Sequence, residues 1–381
     1  MTQAHPTELE AAAQTPAPSA DAVQGRFALD PRSSPRSLEE RESLLKDLRF
    51  GGVFSDHMAS AVWSAATGWT EKKLMPYEPV ALDPSAVVLH YGQSVFEGLK
   101  AYRHADGSVY LFRPLFNAMR LVASARRLAL PELPAEDFLG SIVDLVRQDR
   151  DYVPDAEGSS LYLRPFIFGD EAGLGVRPSA TARYLCIASP SGAYFGGQLQ
   201  PVRIWVTQTY HRAAPGGIGA AKTGGNYAAS LLPQQEVYAA GYNQVCYLDS
   251  VENAYLEELG GMNVFVVRRD GTVQTPVLSG TILEGGTRAC IIRLLQDAGH
   301  RVEETRINFE QLVDDISSGE VTEMFACGTA AVVSPIGVLG FEGGAAEMPE
   351  GRAVTEALYR QLSGIQYGRV PDPYGWLYRV L

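Results

Sequence analysis

The spacing of apolar residues along this chain changes character several times. Asn117–Leu130 and Ala135–Arg150 carry apolar residues three and four positions apart, the period of one helix face, and Pro131 and Pro134 break the chain between them. The same period predicts helices over Leu38–Leu48, Ala228–Ala240, Arg288–Ala298, Asn308–Ser317 and Ala353–Leu362. Short apolar runs rich in β-branched and aromatic residues, such as Tyr162–Phe168, Arg183–Ala188 and Val202–Thr209, predict buried strands. Further strands are expected at Val62–Trp69, Leu74–Val80, Gln244–Asp249, Asn253–Leu256, Asn263–Arg268 and Glu323–Cys327. Leu89–Phe112 is strand-rich throughout, and its His104-Ala105-Asp106-Gly107 reads as a hairpin turn because Asp-Gly tolerates positive φ. Asp270-Gly271 gives a second such signal. Hairpins mixed with helices in both halves predict an α+β protein rather than a doubly wound parallel sheet.

At 381 residues the chain is long enough for two cores. Residues 1–37 are rich in Ala, Pro, Ser, Gln and Glu, a composition that predicts a flexible tail. A run dense in Gly, Pro and Ser, Ser189–Pro201, marks a connection at about 191–200. This gives a smaller domain over 38–190 and a larger one over 201–381, with no internal repeats.

A formal net charge of −12 and a pI near 5.1 give a surface that repels phosphate backbones and anionic headgroups, which argues against nucleic acid and membrane partners. No stretch approaches the ~20 apolar residues of a membrane helix, and a cytoplasmic location is expected. Cys186, Cys246, Cys290 and Cys327 form no CxxC, so neither a metal site nor a disulfide framework is suggested.

The basic residues are more informative. Five lysines stand against 27 arginines, and Lys222 is the sole lysine after Lys100. It lies in Pro215–Ala228, PGGIGAAKTGGNYA, where glycines allow close backbone approach to a ligand. Only an amine can lose its proton and attack a carbonyl, which arginine cannot do. The loop lacks the GxxxxGK[ST] spacing of a nucleotide-binding P-loop. On these residues alone, a nucleotide-binding module, a solvated surface lysine and a reactive amine all stay open.

Seven blocks in register narrow the choice: LHYGQSVFEGLKAYR at 89–103, YLFRP at 110–114, LYLRPFIFG at 161–169, GAAKTGGNYAASL at 219–231, YLEELGGMNVF at 255–265, LEGGTR at 283–288 and MFACGTAAVVSP at 324–335. Together they resemble the branched-chain amino acid aminotransferases, enzymes of the pyridoxal-5'-phosphate (PLP)-dependent fold type IV. The resemblance spans about Leu48 to Leu381. It implies two α+β domains with mixed and antiparallel sheets, like D-amino acid aminotransferase. It also implies a PLP cofactor, amino acid and 2-oxo acid substrates, a ping-pong exchange with 2-oxoglutarate giving glutamate, and a homodimer.

Residue by residue, the resemblance assigns Lys222 as the catalytic amine that carries the cofactor. Arg113, in YLFRP, matches the phosphate-binding arginine, with Gly286, Thr287 and Thr329 completing the phosphate cup. Tyr227 matches the tyrosine beside the cofactor's phenolic oxygen. Glu258 matches the acid that keeps the pyridine nitrogen protonated, and its spacing to GGMN selects it over Glu257. Tyr91, Phe96, Tyr162, Gly328 and Ala330 match the substrate pocket, and Arg164 the residue that meets the glutamate carboxylate. Where some relatives carry a redox CxxC this chain has Ala331 and Ser334, so thiol control is not implied. A D-amino acid aminotransferase, an aminodeoxychorismate lyase and a noncatalytic binding protein of the same fold are the alternatives.

Overall fold

The structure is a computed structural model that describes residues 7–30, 35–46, 48–192 and 199–381. The predicted connection at 191–200 lies for the most part outside the described residues. In chain order the strands are β1 (Ala28–Leu29), β2 (His57–Ser64), β3 (Gly68–Pro76), β4 (Ser94–Phe96), β5 (Leu99–Arg103), β6 (Val109–Phe112), β7 (Ser160–Gly169), β8 (Thr181–Ser191) and β9 (Val202–Thr207). There follow β10 (Gln244–Leu248), β11 (Leu256–Leu259), β12 (Asn263–Arg268), β13 (Val273–Pro276), β14 (Val302–Thr305), β15 (Val321–Gly328), β16 (Val332–Phe341), β17 (Gly344–Glu347) and β18 (Leu377–Arg379). The helices used below are α1 (Glu8–Ala13), α2 (Ala20–Val23), α3 (Leu38–Leu44), α4 (Val87–Tyr91), α5 (Pro114–Arg127), α6 (Ala135–Gln148), α7 (Gly224–Ala229), α8 (Leu231–Ala239), α9 (Gly286–Asp297), α10 (Phe309–Ser317) and α11 (Ala353–Gln366).

Two compact units result. Unit 1 comprises Met1–Gly197, Ala221–Gly224 and Ile365–Leu381, and unit 2 comprises Gln198–Ala220 and Gly225–Gly364. Unit 1 is built on a nine-stranded sheet of order β1-β3-β2-β8-β7-β5-β6-β18, with β4 also paired to β7. Every pairing is antiparallel except β1 with β3. The period-two pattern of β7 divides its side chains: Leu161, Leu163 and Ile167 join the core, whereas Tyr162, Arg164 and Phe166 take the other face. Helix α6 buries Phe138, Leu139, Ile142, Val143, Leu145 and Val146 in the same core.

The N-terminal segment corrects an expectation. In place of a flexible tail, residues 7–30 hold α1, α2 and β1, with Val23 and Phe27 inside the unit 1 core. Its polar composition conceals these apolar anchors. The backbone between them is fastened by α6, whose Asp144 carboxylate accepts from the N–H groups of Gly25 (2.8 Å) and Phe27 (2.9 Å). Arg26 bonds Asp137 of the same helix, so buried acids on α6 satisfy a segment with little regular structure of its own.

Unit 2 carries a second nine-stranded sheet, β11-β10-β9-β16-β15-β12-β13-β14, with β17 on β16. It is mixed: β9 runs parallel to β10 and β16, and β13 parallel to β14. Phe265 and Phe325 sit opposite each other on β12 and β15 with stacked rings 5.0 Å apart. The α+β class and the mixed and antiparallel sheets agree with the sequence.

Three local expectations shift. The single strand expected at Val62–Trp69 is instead the end of β2, a turn at 65–67 and the start of β3, which pair as a hairpin. The strand-rich stretch from Leu89 is entered through a helix, α4, which Gly92 ends in the left-handed region at φ 61°. Residues 253–255 form a capped loop rather than a strand, which begins only at Leu256, because the Asp249 carboxylate accepts from the N–H groups of Val251, Glu252, Ala254 and Tyr255. Among the described residues no helix is long and apolar enough to cross a membrane. All four cysteines are free and buried, and burial pushes the Cys246 thiol up to about 12.

Candidate active site

In unit 1 the lysine of the Gly-rich loop is held by its backbone. Lys222 N–H donates to Ser124 Oγ (2.9 Å), and its carbonyl accepts from Phe96 N–H (3.0 Å). Thr223 Oγ1 then donates to Ser94 O (2.7 Å), so both sides of the lysine are pinned against β4 and α5. The Lys222 side-chain nitrogen, Nζ, lies 5.0 Å from the Phe96 ring centroid.

Phe96 belongs to a continuous surface. Register pairs Phe96 with Phe166 and Lys100 with Tyr162, which puts Phe96, Phe166, Arg164, Tyr162 and Lys100 on one face of the sheet. Arg164 Nη2 donates to the Tyr162 hydroxyl at 3.1 Å, and its guanidinium carbon lies 4.9 Å from the Phe96 ring centroid. Arg164 Nε is buried without a hydrogen-bond partner among the described residues. A Cβ at residue 98 would collide with the Tyr162 hydroxyl, which is why the block reads Phe-Glu-Gly. Lys100 shares this face fully buried, and burial lowers its amine to about 8.

Beneath the lysine lies a cluster that reading by sequence missed. Glu97 is fully buried and receives Arg120 through Nε (2.7 Å to Oε1) and Nη2 (2.8 Å to Oε2). Asn117 Nδ2 and Gly98 N–H also donate to Oε2, at 2.7 and 3.1 Å. Burial alone would raise this carboxyl, but the Arg120 charge and hydrogen bonds, the Lys222 charge and Asn117 outweigh it and hold it below its ordinary value. Asn117, Arg120 and Ser124 are spaced three and four apart, so one face of α5 holds both Glu97 and the lysine. The available signal was a charged residue inside the apolar run VFEGL opposite a helix with polar residues at that spacing.

Two further expected residues have partners of their own. Arg113 caps α5 in the left-handed region at φ 49°, and its Nη2 bonds Glu10 Oε2 at 2.7 Å, with the guanidinium over Phe116 and Trp376. Tyr91 ends α4 and is exposed, its hydroxyl donating to Leu174 O at 2.5 Å.

In unit 2 the residues of interest gather around the segment 258–263. Glu258 is 2% exposed, paired with Arg212 Nη1 at 2.9 Å and accepting from Leu283 N–H at 2.6 Å. Asn263 Nδ2 donates to Leu283 O (3.1 Å), and a Cβ at residue 285 would strike the Asn263 amide oxygen. The Glu-x-Gly-x-x-Asn spacing therefore fastens, from two strands, the segment that leads into α9. Gly286 and Thr287 open that 12-residue helix, where first-turn N–H groups make an anion site. Gly328 ends β15 with its α-carbon beside Met262, and Thr329 and Ala330 form the turn into β16. Tyr227, on α7, packs its ring beside Gly261. Arg212 was not foreseen, since nothing in its sequence context marks it.

Unit 1 thus holds a clamped lysine facing aromatic residues, and unit 2 a buried carboxylate neutralised by a guanidinium and a helix N-terminus with a hydroxyl beside it. Residues 94–338 match the family described as amino-transferase class IV. Two curated relatives are branched-chain-amino-acid aminotransferases. That of Mycolicibacterium smegmatis is 49% identical over 93% of this chain and 98% of its own length, and that of Mycobacterium tuberculosis 50% identical over 91% and 96%. The crystal structure of the Escherichia coli branched-chain amino acid aminotransferase superposes with a TM-score of 0.70 at 30% identity, covering 85% of this chain and 100% of that one. A branched-chain amino acid aminotransferase from T.th., crystallised with pyridoxamine 5'-phosphate, gives 0.71 at 30% identity, covering 85% and 99%. The chain is thus a class IV aminotransferase. Within that class it belongs to the branched-chain-amino-acid aminotransferase family.

Proposed function

We propose that this chain is a PLP-dependent branched-chain amino acid transaminase, moving the amino group of L-leucine, L-isoleucine or L-valine to 2-oxoglutarate. The observation that carries this reading is the clamped Lys222 over Phe96, on the face that also holds Tyr162 and Arg164. When bound, the cofactor supplies an aldehyde and a protonated ring able to accept the electrons released at the substrate α-carbon.

The residues divide that work. Lys222 is the amine that holds the cofactor and then carries a proton to and from the substrate α-carbon. Glu258, its charge compensated by Arg212, holds a proton on the ring nitrogen. Arg113, Gly286, Thr287 and Thr329 would bind the phosphate, and Tyr227 would help hold the ring. The aromatic rings of Phe96 and Tyr162, with Tyr91, Gly328 and Ala330, receive an aliphatic side chain by burial. Arg164, whose Nε lacks a partner among the described residues, receives the second carboxylate of glutamate. A cytoplasmic homodimer is part of the same reading.

The test is turnover of L-leucine with 2-oxoglutarate. Lys222→Ala is expected to cut kcat by roughly 10²–10⁴-fold or more. Borohydride treatment of the wild-type holoenzyme is expected to fix the cofactor to a peptide containing Lys222. Full activity in Lys222→Ala, label on Lys100, or turnover of D-alanine with none of L-leucine would each overturn the reading.

A further inference from the structure

Unit 2 contains a cavity of about 250 Å³ lined by none of the residues assigned above to cofactor or substrate. Glu257 reaches it from β11, next in sequence to Glu258. Successive residues of a strand point to opposite faces, so the two carboxylates serve different surroundings. The walls are largely apolar and include Val251, Leu256, Val277 and Ile282.

The carboxylates on the wall are not equivalent. Asp249 is occupied by four backbone N–H groups. Glu252 is paired with Arg306, whose guanidinium carbon sits 3.6 Å from the Tyr255 ring centroid. Glu257 is different: only 6% exposed, it accepts from the Thr281 hydroxyl through Oε1, while Oε2 is buried with no hydrogen-bond partner among the described residues. A buried carboxyl on the wall of an apolar cavity, with one oxygen lacking a hydrogen-bond partner among the described residues, is complementary to a small apolar molecule that brings its own donor and positive charge.

We propose that this cavity is a second small-molecule site, which binds an aliphatic primary ammonium on the Glu257 carboxylate with its hydrocarbon tail against Val251, Leu256, Val277 and Ile282. The volume lies below the ~300–1,000 Å³ typical of pockets for drug-sized ligands, which limits the occupant to a few carbon atoms.

The surroundings of Glu257 add a pH signature. Burial pushes this carboxyl above its ordinary value, against the pull of the Thr281 hydrogen bond, the Arg212 charge and His211, while Asp249 adds to the rise. An ammonium needs the ionised form, so binding releases a proton and tightens as pH rises through the Glu257 titration. An aliphatic amine, with a pKa near ~10.4, stays charged across that range. Arg212 pairs with Glu258 and reaches Glu257 only through its charge.

The experiment is calorimetric titration of isopentylamine into holoenzyme first reduced with borohydride, so that the amine cannot react with the cofactor. One equivalent is expected to bind, with affinity rising with pH. Isopentanol and isovalerate are expected to bind at least about tenfold more weakly, a difference of ~1.4 kcal/mol. Glu257→Gln is expected to weaken isopentylamine by the same factor or more. Val277→Trp, which fills the cavity mouth and leaves Glu257 in place, is expected to abolish binding and serves if Glu257→Gln does not fold. No binding by the wild-type protein, equal binding of isovalerate, or unchanged affinity in Val277→Trp would each overturn the proposal.

Discussion

Glu97 in unit 1 and Glu257 in unit 2 are both carboxylates buried among apolar neighbours, yet they lie on opposite sides of the ordinary value. Glu97 is the more deeply buried of the two and is the one held ionised. The difference is in the donors: Glu97 collects Arg120 twice, Asn117 and a backbone N–H, whereas Glu257 has the Thr281 hydroxyl and a guanidinium that pairs with its neighbour. Depth of burial therefore does not fix the charge of an acid. The count and sign of the groups aimed at it do.

Breaking the better-served acid should cost most. Glu97→Ala leaves Arg120, 4% exposed, as an uncompensated buried cation and is expected to lose about 3–5 kcal/mol in urea unfolding. A variant as stable as wild type would show that the Arg120 pair does not support the fold. Glu258→Gln sharpens the comparison on the catalytic side, with kcat for L-leucine expected to fall by about 10²-fold and KM to change little. A loss confined to KM would instead make Glu258 a substrate-binding group. Thr281→Val removes a donor from Glu257, with an expected loss of ~1 kcal/mol and a further rise of the Glu257 carboxyl, read by denaturant midpoints and by titration.

The smallest effect is a difference in slope. For Glu97 the folded state releases its proton more easily than the unfolded chain, so its stabilisation is present above the ordinary carboxylate value and lost as pH falls through the lowered one. Glu257 has the opposite sign: the folded state holds its proton, and stability declines as pH rises from the ordinary value to the raised one. Urea midpoints for wild type and Glu257→Gln should diverge across that second window. A constant difference there would contradict the assignment.

Much of the fold could be read from the residues because it follows from local periodicity. Asn117–Leu130 and Ala135–Arg150 correspond to α5 and α6 within a turn, and Asn263–Arg268 is β12. The N-terminal segment escaped because its order comes from Val23, Phe27 and two aspartates more than a hundred residues away on α6, a contact that composition does not encode. Motifs drew attention to Lys222 and Glu258 through their spacing. Arg212 and Arg120 act by meeting an acid distant in sequence, and such a pairing exists only once the sheets have formed. The Glu10 contact with Arg113 is of the same kind.

The fastening of Phe27 and Val23 under α6 has a practical consequence for anyone preparing the protein. Trimming the low-complexity head as a dispensable leader would excavate the wall of a finished hydrophobic interior and unsaddle two acids from their donors.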